Sequence, residues 1–123
     1  MSEQPRARAW RFYLTDMISF CEKVLHYTHG LDRAAFGKND LVRDASLRNI
    51  ELIGEAATHI PQDVRDNSPG IAWRLVVATR NRLIHGYLGI DDDIVWSIVQ
   101  DEIPRLLEQL QRLHQQLGTE EDD

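Results

Sequence analysis

Arg80, Asn81, His85 and Tyr87 fall within one short stretch, Arg80-Asn81-Arg82-Leu83-Ile84-His85-Gly86-Tyr87. Arginine is a permanent cation whose planar fork grips a phosphate through paired hydrogen bonds. Histidine is the side chain whose unperturbed pKa lets it exchange protons near neutral pH. Together they suit phosphodiester cleavage without a metal or cofactor, and RNA brings its own nucleophile, the 2′-hydroxyl. In that reaction His85 acts as general base on the 2′-hydroxyl or general acid toward the leaving 5′-oxygen. Arg80 stabilises the charge that builds on the phosphoryl oxygens. Asn81 bonds a phosphate or orients a neighbour, and Tyr87 binds substrate or offers its phenol for covalent modification. The products are a 2′,3′-cyclic phosphate and a 5′-hydroxyl.

Geometry limits how these residues can meet. On a regular helix Tyr87 stands about 20° from Arg80, two turns along, whereas His85 stands about 140° around. One straight helix therefore does not bring Arg80 and His85 to a single phosphate. Either Gly86 ends the helix early and re-aims His85, or two copies of the chain share the cleft across a twofold axis. The same residue types also make plain structural contacts. Arg80 can pair with Asp91–Asp93, His85 can cap a helix C-terminus, and Tyr87 can sit in the core with its hydroxyl at the surface.

The elements that must position this stretch read as helices. Residues 7–28 place Trp10, Leu14, Met17, Ile18, Cys21, Val24 and Leu25 at spacings of three and four, an amphipathic pattern. Gly30 is a stop and Asp32 a new cap. Asn39 or Asp40 opens a second long helix with Val42, Ala45, Ile50, Ile53, Ala57 and Ile60 on one face. Pro61 suits a first helical position, with short turns over 61–67. Ser68-Pro69 reads as a cap and a first-turn proline. The apolar segment 71–85 then predicts a central, heavily buried helix. Gly86 and Gly89 permit a turn. Asp91 and Asp92 cap a last helix that runs to about Leu117 and is kinked or interrupted at Pro104. Period-two alternation and hairpin dipeptides are missing. The expectation is an all-α, up-and-down bundle of four long helices plus short ones.

At 123 residues the chain fits one domain, 1–119, followed by an acidic tail, Glu120–Asp123. The net charge of -6 argues against a protein that coats nucleic acid through its overall field. Without the four tail acids, 16 acids face 14 bases, which leaves -2 over residues 1–119. Arg74, Arg80 and Arg82 concentrate basic character beside the motif, so RNA affinity is expected to be modest and local. No apolar run spans a membrane and no secretory leader is legible. The lone cysteine, Cys21, fits the reducing cytoplasm and reads as a buried hydrophobe. Asp44, Arg48, Glu51 and Glu55 form a polar stripe that reads as a solvated helix face. His26-x2-His29 reads as a surface pair rather than a metal site. His59 and His114 look peripheral, and Arg6, Arg8 and Arg11 form a small basic cluster. Trp10, Trp73 and Trp96 read as core or dimer contacts.

The pattern Arg-Asn-x3-His-Gly-Tyr resembles the signature of the HEPN domain family. Two further stretches resemble its HepT-like branch: Arg48-Asn49-Ile50-Glu51-Leu52-Ile53-Gly54-Glu55-Ala56, and Gly86-Tyr87-Leu88-Gly89-Ile90-Asp91 followed by Ile94-Val95-Trp96. The likeness spans about residues 8–117. It implies a helical-bundle toxin of a toxin–antitoxin pair, a metal-independent RNase that forms a homodimer with the motif in the cleft between subunits. Arg80 and His85 would be catalytic, Asn81 supporting, and Tyr87 the acceptor of AMP transferred from ATP by a minimal nucleotidyltransferase antitoxin. Glu51 and Glu55 would be nearby supporting or dimer contacts. A second reading remains open: a non-catalytic helical partner that regulates such a nucleotidyltransferase.

Overall fold

The computed structural model describes residues 3–85 and 91–122, with side chains described over 9–83 and 91–118. Tyr87 and the expected Gly86/Gly89 turn lie outside the described residues. His85 is described as backbone only, and the side chains of Arg6 and Arg8 also lie outside. Among the described residues four long helices carry the fold: α1 (Glu3–Thr28), α3 (Asp40–Ala57), α5 (Trp73–His85) and α7 (Ile103–Asp122). Three short ones join them: α2 (Arg33–Lys38), α4 (Gln62–Asp66) and α6 (Asp92–Ser97). No strand occurs among the described residues. The all-α bundle expected from the sequence is the observed architecture.

Local chemistry sets the boundaries. Gly30, with φ at 78°, makes the turn after α1 in the left-handed region that glycine enters without strain. The Asp32 carboxylate accepts the Ala35 N–H at 2.8 Å and caps α2. The Asn39 side chain accepts the Val42 N–H and caps α3. Arg65 closes the other end of α3, donating to Ala57 O at 2.6 Å and Ile60 O at 3.0 Å, where the last carbonyls lack intrahelical partners. Asp91 caps α6 by accepting the Asp93 N–H.

α1 supplies the central stripe. Trp10, Leu14, Met17, Cys21 and Val24 recur at alternating spacings of four and three and are buried. They pack against Ile50, Ile53 and Ala57 of α3 and against Ile103, Leu106, Leu110 and Leu113 of α7 in one core cluster. α1 lies against both α3 and α7, and α3 also carries α5 on its flank. Each large aliphatic side chain removed from water contributes roughly 1.5–3 kcal/mol. Among the long helices, α5 packs most closely on α3.

Four expectations need correction. Pro61 occupies the cap of α4, with ψ at 151°, rather than its first turn. Ser68-Pro69 does not start α5, which begins at Trp73. The Ser68 hydroxyl donates back to Val64 O, and its carbonyl accepts Trp73 Nε1–H. Nor is α5 heavily buried. Trp73 and Leu83 face the core, while Ala72, Leu75 and Ala78 are exposed, Leu75 by 53%. Finally, the last helix continues past Leu117 to Asp122, through three of the four tail acids. The interruption expected at Pro104 is a π-turn, Ile98–Glu102, in which the Ile103 N–H bonds Ile98 O. A proline two residues into α7 has no N–H to keep the ladder in α register, and the preceding turn widens.

Candidate active site

α5 is seated on α3 at Gly54. A methyl group there would lie 3.0 Å from Arg80 Cγ, nearer still to Arg80 Cβ, and 3.1 Å from the Val76 carbonyl. Only a residue without a side chain lets the two helices approach this closely. The contact places the root of Arg80 directly over α3. The next residue, Glu55, then takes the guanidinium: Oε2 lies 2.7 Å from Arg80 Nη2. Arg80 Nη1 also donates to Asn81 Oδ1 at 3.1 Å. These contacts use two of the five N–H donors on the fork, and the side chain remains 29% exposed. Arg80 is thus a half-buried, oriented cation with donors left to turn toward an anion. A charge-assisted hydrogen bond of this kind holds more strongly than a neutral one.

His85 closes α5, five residues after Arg80 in one continuous helix. The helix does not end early before the histidine, so the two positions keep their separation of about 140° around the axis. Within one chain, α5 carries Arg80 and His85 on different faces. The ion pair considered between Arg80 and Asp91–Asp93 is not formed. Arg43 Nε bonds Asp92, and Arg33 Nε bonds Asp93 at 2.5 Å. Asp92 strengthens the Arg43 cation, raising its pKa further, through their hydrogen bond. These two pairs tie α2 and α3 to the start of α6, the next described element after α5.

Other sequence candidates take ordinary places. Arg48 pairs with Glu51 at 3.4 Å, and Arg82 and Arg74 are exposed on α5. Trp10 and Trp73 are buried, and Trp96 tilts against Phe36 with ring centroids 5.1 Å apart. Cys21 is fully buried, and burial pushes its thiol up to about 12, well outside the range of a nucleophile. Among the described residues no group of three or more His, Cys, Asp or Glu side chains is arranged to hold a metal ion, and no helix is long and apolar enough to cross a membrane.

Sequence reasoning passed over two residues. Gly54 has no role in the motif reading, although a glycine in mid-helix costs about 1 kcal/mol and asks for a packing reason. His59 looked peripheral, yet Glu55 Oε1 lies 3.8 Å from its Nε2. It also stacks on Tyr13, with ring centroids 4.2 Å apart and planes 9° apart. No sequence signal links positions 13, 59 and 80.

Comparison with known proteins identifies the family. The family model described as ribonuclease HepT-like matches residues 17–113. A Methanocaldococcus jannaschii protein named "Putative RNase MJ1380" is 34% identical over 99 residues, covering 80% of this chain and 91% of that protein. "Probable ribonuclease HepT" of Thermococcus cleftensis is 32% identical over 106 residues, covering 86% and 96%. "Putative RNase TTE0752" of Caldanaerobacter subterraneus is 30% identical over 105 residues, covering 85% and 94%. No solved structure matches. A family model that covers most of an all-α chain settles its kinship: the chain belongs to the ribonuclease HepT-like family.

Proposed function

We propose that this protein is an endoribonuclease that cuts RNA by attack of the 2′-hydroxyl, without a metal, at a site shared by two copies of the chain. The observation that carries the reading is the seating of Arg80. The close approach at Gly54 and the Glu55 carboxylate orient a half-exposed guanidinium on the helix that also carries His85. Arg80 binds the scissile phosphate and offsets the charge that grows on its oxygens. His85 takes the proton from the 2′-hydroxyl or returns one to the 5′-oxygen as that bond to phosphorus breaks. Asn81 holds the guanidinium in plane. Because α5 separates positions 80 and 85 around its axis, Arg80 of one protomer works with His85 of its partner. The open side of α5 supports a homodimer. Leu75 is 53% exposed there, beside a groove of about 120 Å³ lined by Ile53, Val76, Ile103 and Leu106.

The same reading makes the protein the toxin of a cytoplasmic toxin–antitoxin pair whose antitoxin is a minimal nucleotidyltransferase. The Tyr87 phenol attacks the α-phosphorus of ATP, pyrophosphate leaves, and the phenol proton passes to solvent. The new phosphodiester puts bulk and negative charge near the arginine and silences it. The test is a labelled oligoribonucleotide incubated with purified protein in EDTA. Wild type cuts it, and Arg80→Ala and His85→Ala lose at least about 100-fold of the rate. Mixing the two inactive variants restores part of the activity through heterodimers. If both variants arrest growth as the wild type does, the nuclease reading is wrong. If Tyr87→Phe is still silenced by the nucleotidyltransferase and ATP without AMP attached elsewhere, the modification reading is wrong.

A further inference from the structure

The ring pair beside Arg80 takes no part in the proposed chemistry, and its geometry suits a ligand. His59 follows the C-terminus of α3, where its N–H bonds Ala56 O at 3.0 Å. Arg65 fixes the same helix end. Tyr13, from α1, covers one face of the His59 imidazole at 4.2 Å between centroids, nearly parallel. The His59 side chain nevertheless keeps 45% of its exposure. Tyr13 stacks on one face only, so this exposure belongs to the remaining face and edges of the ring. The result is a flat aromatic surface, backed by a second ring, fixed at a helix end and open on one side. One carboxylate separates it from the phosphate-binding cation, since Glu55 faces His59 through Oε1 and Arg80 through Oε2.

A flat π surface beside a phosphate site is what unstacked nucleobases bind in single-stranded RNA. We propose that His59, backed by Tyr13, is a nucleobase-stacking subsite for the nucleotide that adjoins the phosphate held at Arg80. The inference rests on the ribonuclease reading and adds to it where the substrate's base sits. It also says what kind of RNA the site takes. A base can reach this platform only when it is unpaired, so loops and single strands are bound and continuous duplex is not. Every base has a π face, so the platform is tolerant of sequence. Glu55 Oε1 lies 3.8 Å from the imidazole edge, and Tyr13 backs the ring on the face away from the base.

The test uses the full-length protein and a single-stranded oligoribonucleotide with 2′-O-methyl groups throughout, which cannot be cut by 2′-hydroxyl attack. Its affinity is read by fluorescence anisotropy. An abasic scan of the oligonucleotide on wild-type protein finds one position whose missing base weakens binding about fivefold or more. His59→Ala weakens binding of the intact oligonucleotide by the same factor and abolishes the abasic penalty. His59→Phe, which keeps a ring and loses the titratable edge, binds like the wild type within about twofold. In cleavage of unmodified RNA, His59→Ala raises KM with kcat little changed. The proposal is overturned if no abasic position costs the wild type affinity, or if His59→Phe fails as badly as His59→Ala. Wild-type cleavage of RNA with an unchanged KM in His59→Ala overturns the platform and leaves the ribonuclease reading standing. A wild type that neither binds nor cuts RNA overturns both.

Discussion

Replacement of Gly54 by alanine probes the contact that seats Arg80. On helix propensity alone the change stabilises α3 by about 1 kcal/mol. The structure says that packing outweighs this gain. The new methyl would meet Arg80 Cγ at 3.0 Å and the Val76 carbonyl at 3.1 Å, against about 3.5–4.0 Å for carbon atoms at their optimal separation. Arg80 Cβ is closer still. Neither a backbone carbonyl nor the first carbons of a side chain can swing aside, so α5 must move off α3 by roughly 1 Å. Overpacking of this kind costs about 1–3 kcal/mol, occasionally more. The overlap with Arg80 Cβ puts the cost in the upper part of that range, about 2–3 kcal/mol, so the balance is a net loss of about 1–2 kcal/mol. For a chain of this size that lowers Tm by roughly 3–10 °C, measured by far-UV circular dichroism. Activity falls further than stability, because a displacement of about 1 Å in a catalytic group can cost about 100-fold in rate. Arg80→Gly removes the atoms in the way, so adding Gly54→Ala to that variant costs much less than adding it to wild type. Arg80→Ala keeps Cβ and gives little relief. A Gly54→Ala protein as stable as the wild type, or a Gly54→Ala cost that is undiminished in the Arg80→Gly background, would refute the close approach and the positioning argument built on it.

Three further outcomes follow. Ser46 Oγ is fully buried without a hydrogen-bond partner. Ser46→Ala therefore raises the stability measured by urea unfolding, by about 1 kcal/mol or more, since an unsatisfied buried hydroxyl costs about 1–3 kcal/mol. Asp92→Asn weakens the pair with Arg43, both side chains being about a quarter exposed. It lowers Tm, and the gap to wild type narrows as salt is added. Cys21 stays unreactive to a thiol reagent in the native protein and reacts after unfolding. Its folded pKa, raised from 9.0 to about 12, keeps the thiol neutral in the fold. The associated stability is fully present below pH 9.0 and is lost as pH rises from there toward 12. The stability advantage of wild type over Cys21→Ala consequently shrinks above pH 9.0, and an advantage that grows there would contradict the burial.

Much of the bundle was written in residue spacing. The stripe from Trp10 to Val24 needed only a helical period to identify it as core, and Asp32 and Asn39 announced their helices through the oxygen each offers to a backbone N–H. The exposure of α5 was not legible. An apolar segment reads the same whether its partner is its own chain or another surface, and Leu75 gives no sign of which. Ser68-Pro69 misled because Trp73 Nε1 takes the Ser68 carbonyl, a tertiary contact no local rule contains. At the candidate site, residue types single out Arg80 as a candidate. Its true partner, Glu55, is 25 positions away on α3 and was ranked only as a nearby support. The spacing of 80 and 85 on a helix was legible in advance, and the continuous α5 leaves it in force.

The most direct test is the dependence of cutting on one oxygen atom. An oligoribonucleotide carrying a single 2′-deoxy nucleotide on the 5′ side of the cleaved bond is compared with its all-ribose parent, with EDTA present throughout. The account predicts cleavage of the parent to a 2′,3′-cyclic phosphate and a 5′-hydroxyl, and none at the deoxy position. Cutting at that position, or cutting that persists in Arg80→Ala, would contradict it.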